Sequence, residues 1–151
     1  MTQAPHDSVI VRNLGAHLIP LVQLFALYIL FFGQYGPGGG FVGGVMLGAS
    51  FIVGSLIFGA DDPATAAANR LLDGDGLGLI IFVLVGGLCL IGGGEFLNYT
   101  SVRIPGLDAP SQRYLGIVLA QIGVAVDVAV TAVSIVFSLS TVNRDEANPG
   151  A

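Results

Sequence analysis

The sequence predicts an all-α integral membrane protein of about four transmembrane helices, with a glycine-rich break between the first and the second. The chain has 151 residues, of which 54% are hydrophobic and only 10% are charged, and its apolar residues gather in four long runs. A soluble domain has about 25% charged residues, whereas each crossing of a bilayer needs about 20 apolar ones. We therefore expect a single membrane domain over residues 1–151.

The first span is expected at residues 16–33, where Pro20 would fall in the opening turn, a position that needs no amide donor. The residues after this run form a poor cleavage site for a signal peptidase, so the first span is expected to be retained. Pro37 then stands among closely spaced glycines from Gly36 to Gly40, a composition that breaks a helix. Apolar residues resume over 41–59, which is the second predicted span.

The segment after the second span is more polar. Asp62 and Pro63 have the order of a helix N-cap followed by a first-turn proline, and this predicts a short interfacial helix over about 63–73. The third span is expected at 77–94, where a run of glycines closes it. The fourth is expected at 114–139, which is long enough to cross the bilayer with some tilt.

Charged residues set limits on both topology and function. All five basic residues are arginine, so chemistry that needs a lysine amine is excluded, and no basic patch for nucleic acid exists. Arg12, Arg70 and Arg144 fall on the side of the two termini, and the positive-inside rule then predicts cytoplasmic termini. Cys89 is the only cysteine, and we expect it to be a small buried apolar side chain. Nothing indicates an enzyme or a bound cofactor.

The glycines of the second span recur at a helical spacing. Gly40, Gly44 and Gly48 are four residues apart and would form one stripe, which lets two helix backbones approach closely in lipid. We expect this stripe to contact a helix of another subunit. An alternative for the segment before Phe41 is that its irregular backbone lines a hydrated or protein-buried cavity, because unpaired backbone groups cannot face hydrocarbon.

Four polar residues in or beside the spans are the candidates for an ion path: Asp127, Gln121, Gln34 and Gln23. Asp127 lies near the middle of the fourth span, six residues after Gln121, and a carboxylate at that depth costs about 2.5 to 3.5 kcal/mol. It either marks an ion path, with transient Na+ binding nearby, or is a hydrogen-bonded structural residue. Gln23, in the first span, is expected to form an interhelical hydrogen bond rather than to bind an ion.

The string from Gly33 to Gly44, GQYGPGGGFVGG, resembles the MrpB (MnhB) family, which are subunits of the Mrp-type multisubunit Na+/H+ antiporters. The matching motif residues are Pro37, Gly38, Gly39, Gly40 and Phe41. In the last span, Gly123 with its neighbours resembles the family's x-Gly-Val stretch. The resemblance implies a four-helix subunit in a bacterial or archaeal plasma membrane that works with other antiporter subunits, with Na+ and H+ as the transported ions. Related subunits also occur in membrane-bound hydrogenase complexes.

Two positions depart from the family pattern. Many members have a histidine where this chain has Gln34, and many have an acid where it has Gln121. Asp127 lies about 240° around the helix from Gln121, so it faces another direction and is not a direct replacement for that acid. The sequence therefore predicts a non-catalytic subunit that helps to form a cation path and to assemble the complex. The alternatives are an autonomous homo-oligomeric ion transporter and a purely structural subunit.

Overall fold

The computed structural model describes residues 8–59, 76–100, 106 and 108–147, with side chains up to residue 139. This part of the chain consists of helices joined by turns, and the predicted all-α class is confirmed. The helices are α1 (Val9–Phe32), α2 (Gly40–Phe58), α3 (Leu77–Ile91) and α4 (Ala109–Ala147). The interfacial helix predicted over 63–73 lies outside the described residues.

Helix α1 begins earlier than the sequence predicted. It starts at Val9 rather than at residue 16, so Pro20 lies inside the helix and not in its opening turn. Proline has no amide N–H, and the carbonyl of Ala16 therefore loses the donor that an α-helix would place four residues later. The predicted position of Pro20 was wrong because residues 9–15, which are mostly apolar, continue the helix before the predicted span.

Helix α3 is shorter than the predicted span. It ends at Ile91, where Gly92 donates its N–H to the carbonyl of Leu88 at 3.1 Å and Gly93 has a φ of +80°. Its 15 residues rise about 22 Å, less than the roughly 30 Å of a hydrocarbon core. The other three helices are long and apolar enough to cross a membrane.

The four helices pack side by side in the order α1, α2, α4, α3, with only slight contact between α1 and α4. Most of the buried positions are occupied by small or β-branched residues, which bring the helix axes close together. They include Ala26, Ala120, Ala125, Ala129, Val130 and Val133. Cys89 is 1% exposed and donates its thiol to the carbonyl of Val85, so the expectation of a small buried side chain is confirmed.

The glycine stripe of α2 packs against α4 of the same chain. A Cβ on Gly44 would lie 2.6 Å from the carbonyl oxygen of Ala125, and one on Gly48 would lie 3.1 Å from the Cβ of Ala132. Gly40 lies against the backbone of Gln121. The prediction that this stripe receives a helix of another subunit is therefore wrong, because the chain's own fourth helix already covers it.

Helix α3 packs against α4 on a different side from α2. Glycines and aromatic rings form this contact. Gly78, in its first turn, lies against the backbone and Cβ of Asp127. The loop after α3 then folds back, with Phe96 against Gly86 and Tyr99 against Gly116. Burial raises the pKa of the Tyr99 phenol above its ordinary value, with a smaller contribution from the nearby Cys89.

Large apolar side chains remain exposed along the helices. Leu24 is 70% exposed, Leu84 59% and Ile91 85%. Soluble monomers rarely expose contiguous apolar patches of more than a few hundred Å², whereas such side chains are at home against lipid tails or other membrane helices. The exposed faces therefore agree with the hydropathy of the helices and place the chain in a membrane.

Candidate functional site at the glycine-rich break

The segment between α1 and α2 folds back onto the end of α1. The N–H of Gly39 donates to the carbonyl of Ile29 at 3.3 Å, which satisfies one of the last carbonyls of α1. Gly39 is buried and has a φ of +106°, a conformation that only glycine adopts without strain. The break is thus an ordered turn, which brings the N-terminus of α2 beside α1 and α4.

Gln121 of α4 meets this turn directly. Its side-chain amide carbon and nitrogen would both lie 3.9 Å from a Cβ on Gly39, and its backbone contacts Gly40. No Cβ could be added at Gly40 without overlapping the carbonyl of Gln121. The two glycines therefore allow α4 to approach the start of α2, and this approach places the Gln121 amide at the break.

Buried amide atoms without partners are the most unusual feature of this junction. Among the described residues, the side-chain oxygen and nitrogen of Gln34 and the side-chain oxygen of Gln121 are buried and accept or donate no hydrogen bond. Each unsatisfied buried polar group costs about 1–3 kcal/mol. Buried groups without a protein partner are therefore expected where water or an ion supplies the missing partner.

Gln34 lines a cavity of about 550 Å³ between the turn and the start of α4. Arg113, Tyr114 and Ile117 of α4 line its other wall, and Ile117 is one helical turn before Gln121. Gln34 and Gln121 therefore lie at the same junction of the turn with α4, at successive levels of that helix. We call this region, formed by Gln34, Gly39, Gly40 and Gln121, the glutamine junction.

Charge around the glutamine junction is not balanced for a cation. The residues that line the cavity of Gln34 include Arg113 and no acidic side chain. A lone guanidinium repels cations, and this repulsion grows as the local dielectric constant falls. Among the described residues, the lining of this cavity therefore supplies no negative charge.

The remaining motif residues lie around the junction. Pro37 is exposed, and Phe41 directs its ring outward, with 64% of its surface exposed. Tyr35, which is 76% exposed, lies 6.5 Å from the ring of Phe32. These outward side chains form a surface for lipid or for neighbouring helices.

Gln23 and Asp127 do not join the glutamine junction. Gln23 lines a different cavity, between α1 and α2, together with Ser50. Asp127 is half-buried on the side of α4 that faces α3, whereas Gln121 faces α2. The different directions of Gln121 and Asp127, expected from their helical spacing, are thus seen in the fold. Sequence reasoning missed Ser50, which appeared only as one of many small residues in the second span.

Asp127 lies level with the first turn of α3, because Gly78 packs against it. A carboxylate near the N-terminus of a helix interacts favourably with the unpaired N–H groups there. The contact brings the Asp127 backbone and Cβ to this N-terminus, and a structural role of its carboxylate there stays a prediction, as does the ion-path role. No cluster of three or more metal-ligating side chains occurs in the described part of the chain.

We expect Asp127→Asn to lower the stability of the isolated chain by about 0.3–1 kcal/mol, because the favourable charge at the start of α3 is lost. Thermal unfolding in detergent, followed by helical circular dichroism, measures the change. Glu95→Gln, at an exposed position in the loop after α3, is the matched control and should leave the unfolding temperature unchanged. An equal effect of the two substitutions would contradict the role of the α3 N-terminus.

The fold and the site define an integral membrane protein of closely packed apolar helices, with buried amide groups at the junction of its glycine-rich turn and α4. The chain belongs to the family described as "Domain related to MnhB subunit of Na+/H+ antiporter", which matches residues 10–150. The resemblance seen in the glycine-rich string is confirmed.

Curated relatives cover most of the chain at low identity. The B subunit of the Na(+)/H(+) antiporter of Alkalihalophilus pseudofirmus is 27% identical over 138 residues, which are 87% of this chain and 96% of the relative. The putative antiporter subunit mnhB2 of Staphylococcus epidermidis is 22% identical over 134 residues, covering 89% and 95%. An uncharacterized protein of Methanocaldococcus jannaschii is 26% identical over 125 residues, 82% of this chain. The match spans only 48% of that relative's length.

Proposed function

We propose that the chain is a non-catalytic membrane subunit of a multisubunit Na+/H+ antiporter and that its glutamine junction lines part of the cation path. The observation that supports this proposal is the set of unpaired amide atoms of Gln34 and Gln121. Amide oxygens can replace water molecules around a cation, as backbone carbonyls do in channels. The amide nitrogen of Gln34 can hold a water molecule of the same path.

The charge of the junction favours a subunit over an autonomous transporter. A proton-coupled exchanger normally needs several intramembrane ionisable residues that relay protons. The cavity at Gln34 contains Arg113 without an acid, and Asp127 lies on another face of α4. Neighbouring subunits would then supply both the carboxylates that offset Arg113 and the proton relay, while this chain supplies amide ligands and packing.

Reconstitution into liposomes tests this function. The assembled complex, with an imposed pH gradient, is expected to show Na+-dependent proton flux, measured with a pH-sensitive dye inside the vesicles. The purified chain alone should show none above empty liposomes. Flux through the chain alone would overturn the subunit proposal and favour a homo-oligomeric transporter that uses Asp127 as its coupling carboxylate.

A further inference from the structure

The cavity of Gln34 can be reached from outside the chain. Its volume is about 550 Å³, and three of its lining residues, Arg113 and Tyr114 of α4 and Tyr35 of the turn, are exposed. Cavities of about 300–1,000 Å³ commonly take ligands. A group that belongs to another molecule can therefore enter beside the buried amide of Gln34.

Arg113 gives this cavity a positive charge. Within the described part of the chain, it makes no ion pair or hydrogen bond. Asp108 stands just before α4, but it does not line the cavity and no ion pair joins it to Arg113. The N-terminal end of α4 adds the partial positive charge of a helix dipole. The cavity is therefore complementary to a negatively charged group.

The other lining residues favour a protein side chain as the source of that group. Tyr35 and Tyr114 line the cavity together with Arg113, and Ile117 adds apolar surface one helical turn farther along α4. Tyrosine and arginine are enriched at the centres of protein–protein interfaces. Rings and an isoleucine pack against the aliphatic part of an acidic side chain, whereas a hydrated free anion gains nothing from them.

We propose that this cavity receives an acidic side chain of a neighbouring subunit, whose carboxylate forms an ion pair with Arg113. The guanidinium offers two parallel N–H donors that match the two oxygens of a carboxylate. The amide nitrogen of Gln34 donates to the same carboxylate through one water molecule, which leaves the amide oxygen for the cation. The inference rests on the proposed function, since it takes the neighbour to be another subunit of the antiporter.

The ion pair would also decide when the glutamine junction admits a cation. An arginine at a narrow polar path is an electrostatic barrier to cations, and a carboxylate in contact with it cancels most of that field. Gln34 and Gln121 would then face a cation without the repulsion of Arg113 only after the neighbouring subunit has bound. The path is closed in the isolated chain and opens with assembly.

A cross-link that adds no spacer tests the contact. The chain contains no lysine, so Arg113→Lys places a single side-chain amine at the cavity. A carbodiimide joins this amine to a carboxylate that touches it. In the assembled complex, we expect one product that contains this chain and another subunit, with the mass of the two less one water. Peptide mapping by mass spectrometry should find residue 113 joined to an Asp or Glu of the neighbour.

Ser111→Lys is the matched control, because residue 111 is exposed on the same helix but does not line the cavity. It should give no defined product with another subunit. Coupling of residue 113 to Asp108 of the same chain, equal coupling from both positions, or no coupling to another subunit would overturn the ion pair. If anionic lipid is retained in the last case, Arg113 binds a lipid phosphate instead.

Removal of the charge measures what the ion pair contributes to assembly. Arg113→Gln should leave the detergent-extracted complex about thirtyfold faster on dilution, which corresponds to about 2 kcal/mol, the lower end for a truncated buried charge pair. Arg113→Glu combined with arginine at the cross-linked acid should restore slow dissociation, which a general packing defect would not allow. The unfolding temperature of the isolated Arg113→Gln chain should stay unchanged. Dissociation at the wild-type rate would contradict the ion pair.

The ion pair and the transport function are measured separately. A specific cross-link at residue 113 in a complex without Na+-dependent proton flux would keep the ion pair and remove the antiport function. Flux through a complex that gives no cross-link would keep the function and overturn the ion pair.

Discussion

Replacing Gly44 by leucine is expected to destabilise the isolated chain by about 3 kcal/mol, the upper end of the range of about 1–3 kcal/mol for overpacked cores. A Cβ at this position would already lie 2.6 Å from the carbonyl oxygen of Ala125 and 2.9 Å from its Cα. These are backbone atoms and cannot turn away as a flexible side chain would. The whole contact between α2 and α4 would have to separate.

Thermal unfolding of the purified chain in detergent measures this effect. Gly87→Leu is the matched control. Gly87 lies in α3, and a Cβ there would meet no atom within 4 Å. Alanine substitutions should lower the unfolding temperature in the same order. Gly44→Ala should be more destabilising than Gly48→Ala, because the nearest atom to a Cβ on Gly48 is 3.1 Å away. If Gly44→Leu unfolds like the wild type and disrupts only the binding of partner subunits, the stripe faces another chain and the described packing is wrong.

Replacing Gln121 by methionine is expected to reduce antiport by the assembled complex about tenfold or more, which corresponds to a transport barrier higher by about 1.4 kcal/mol or more, without lowering the stability of the chain. Methionine has a similar length and fills irregular space. It also removes a buried oxygen that has no partner among the described residues, and removal of an unsatisfied group does not cost stability. A loss of transport at unchanged stability separates a role in the path from a role in packing.

Gln112→Met is the control for this measurement. Gln112 lies on the same helix, is 9% exposed, and its side chain does not line the cavity of Gln34. The substitution should leave antiport per assembled complex unchanged. If Gln121→Met transports normally, the glutamine junction is not part of the path. If instead Asp127→Asn abolishes antiport at normal assembly, the carboxylate on the α3 side of α4 is the functional group.

Several features of the fold could be predicted because they depend on local composition. Long apolar runs must be helical in lipid, where each backbone group needs a partner within the segment, and these runs predicted the four helices that the described residues form. The turn at Pro37 and Gly39 followed from residues that cannot continue a helix. The predicted helix ends were less accurate at Val9 and Ile91. Only a few residues decide whether a helix continues for one more turn or ends in a cap.

The sequence by itself determined the membrane class, the glycine-rich break and the different directions of Gln121 and Asp127, because helical periodicity and bilayer thickness act on neighbouring residues. Only the tertiary structure decided that Gly44 faces α4 of the same chain, since a glycine stripe is equally suited to any helix. The unpaired amides of Gln34 and Gln121 likewise appeared only when the turn and α4 met, because burial and hydrogen bonding are properties of contacts between distant segments. Because α4 already covers the glycine stripe, the glutamine junction is the place in the described residues where buried polar groups still lack hydrogen-bond partners.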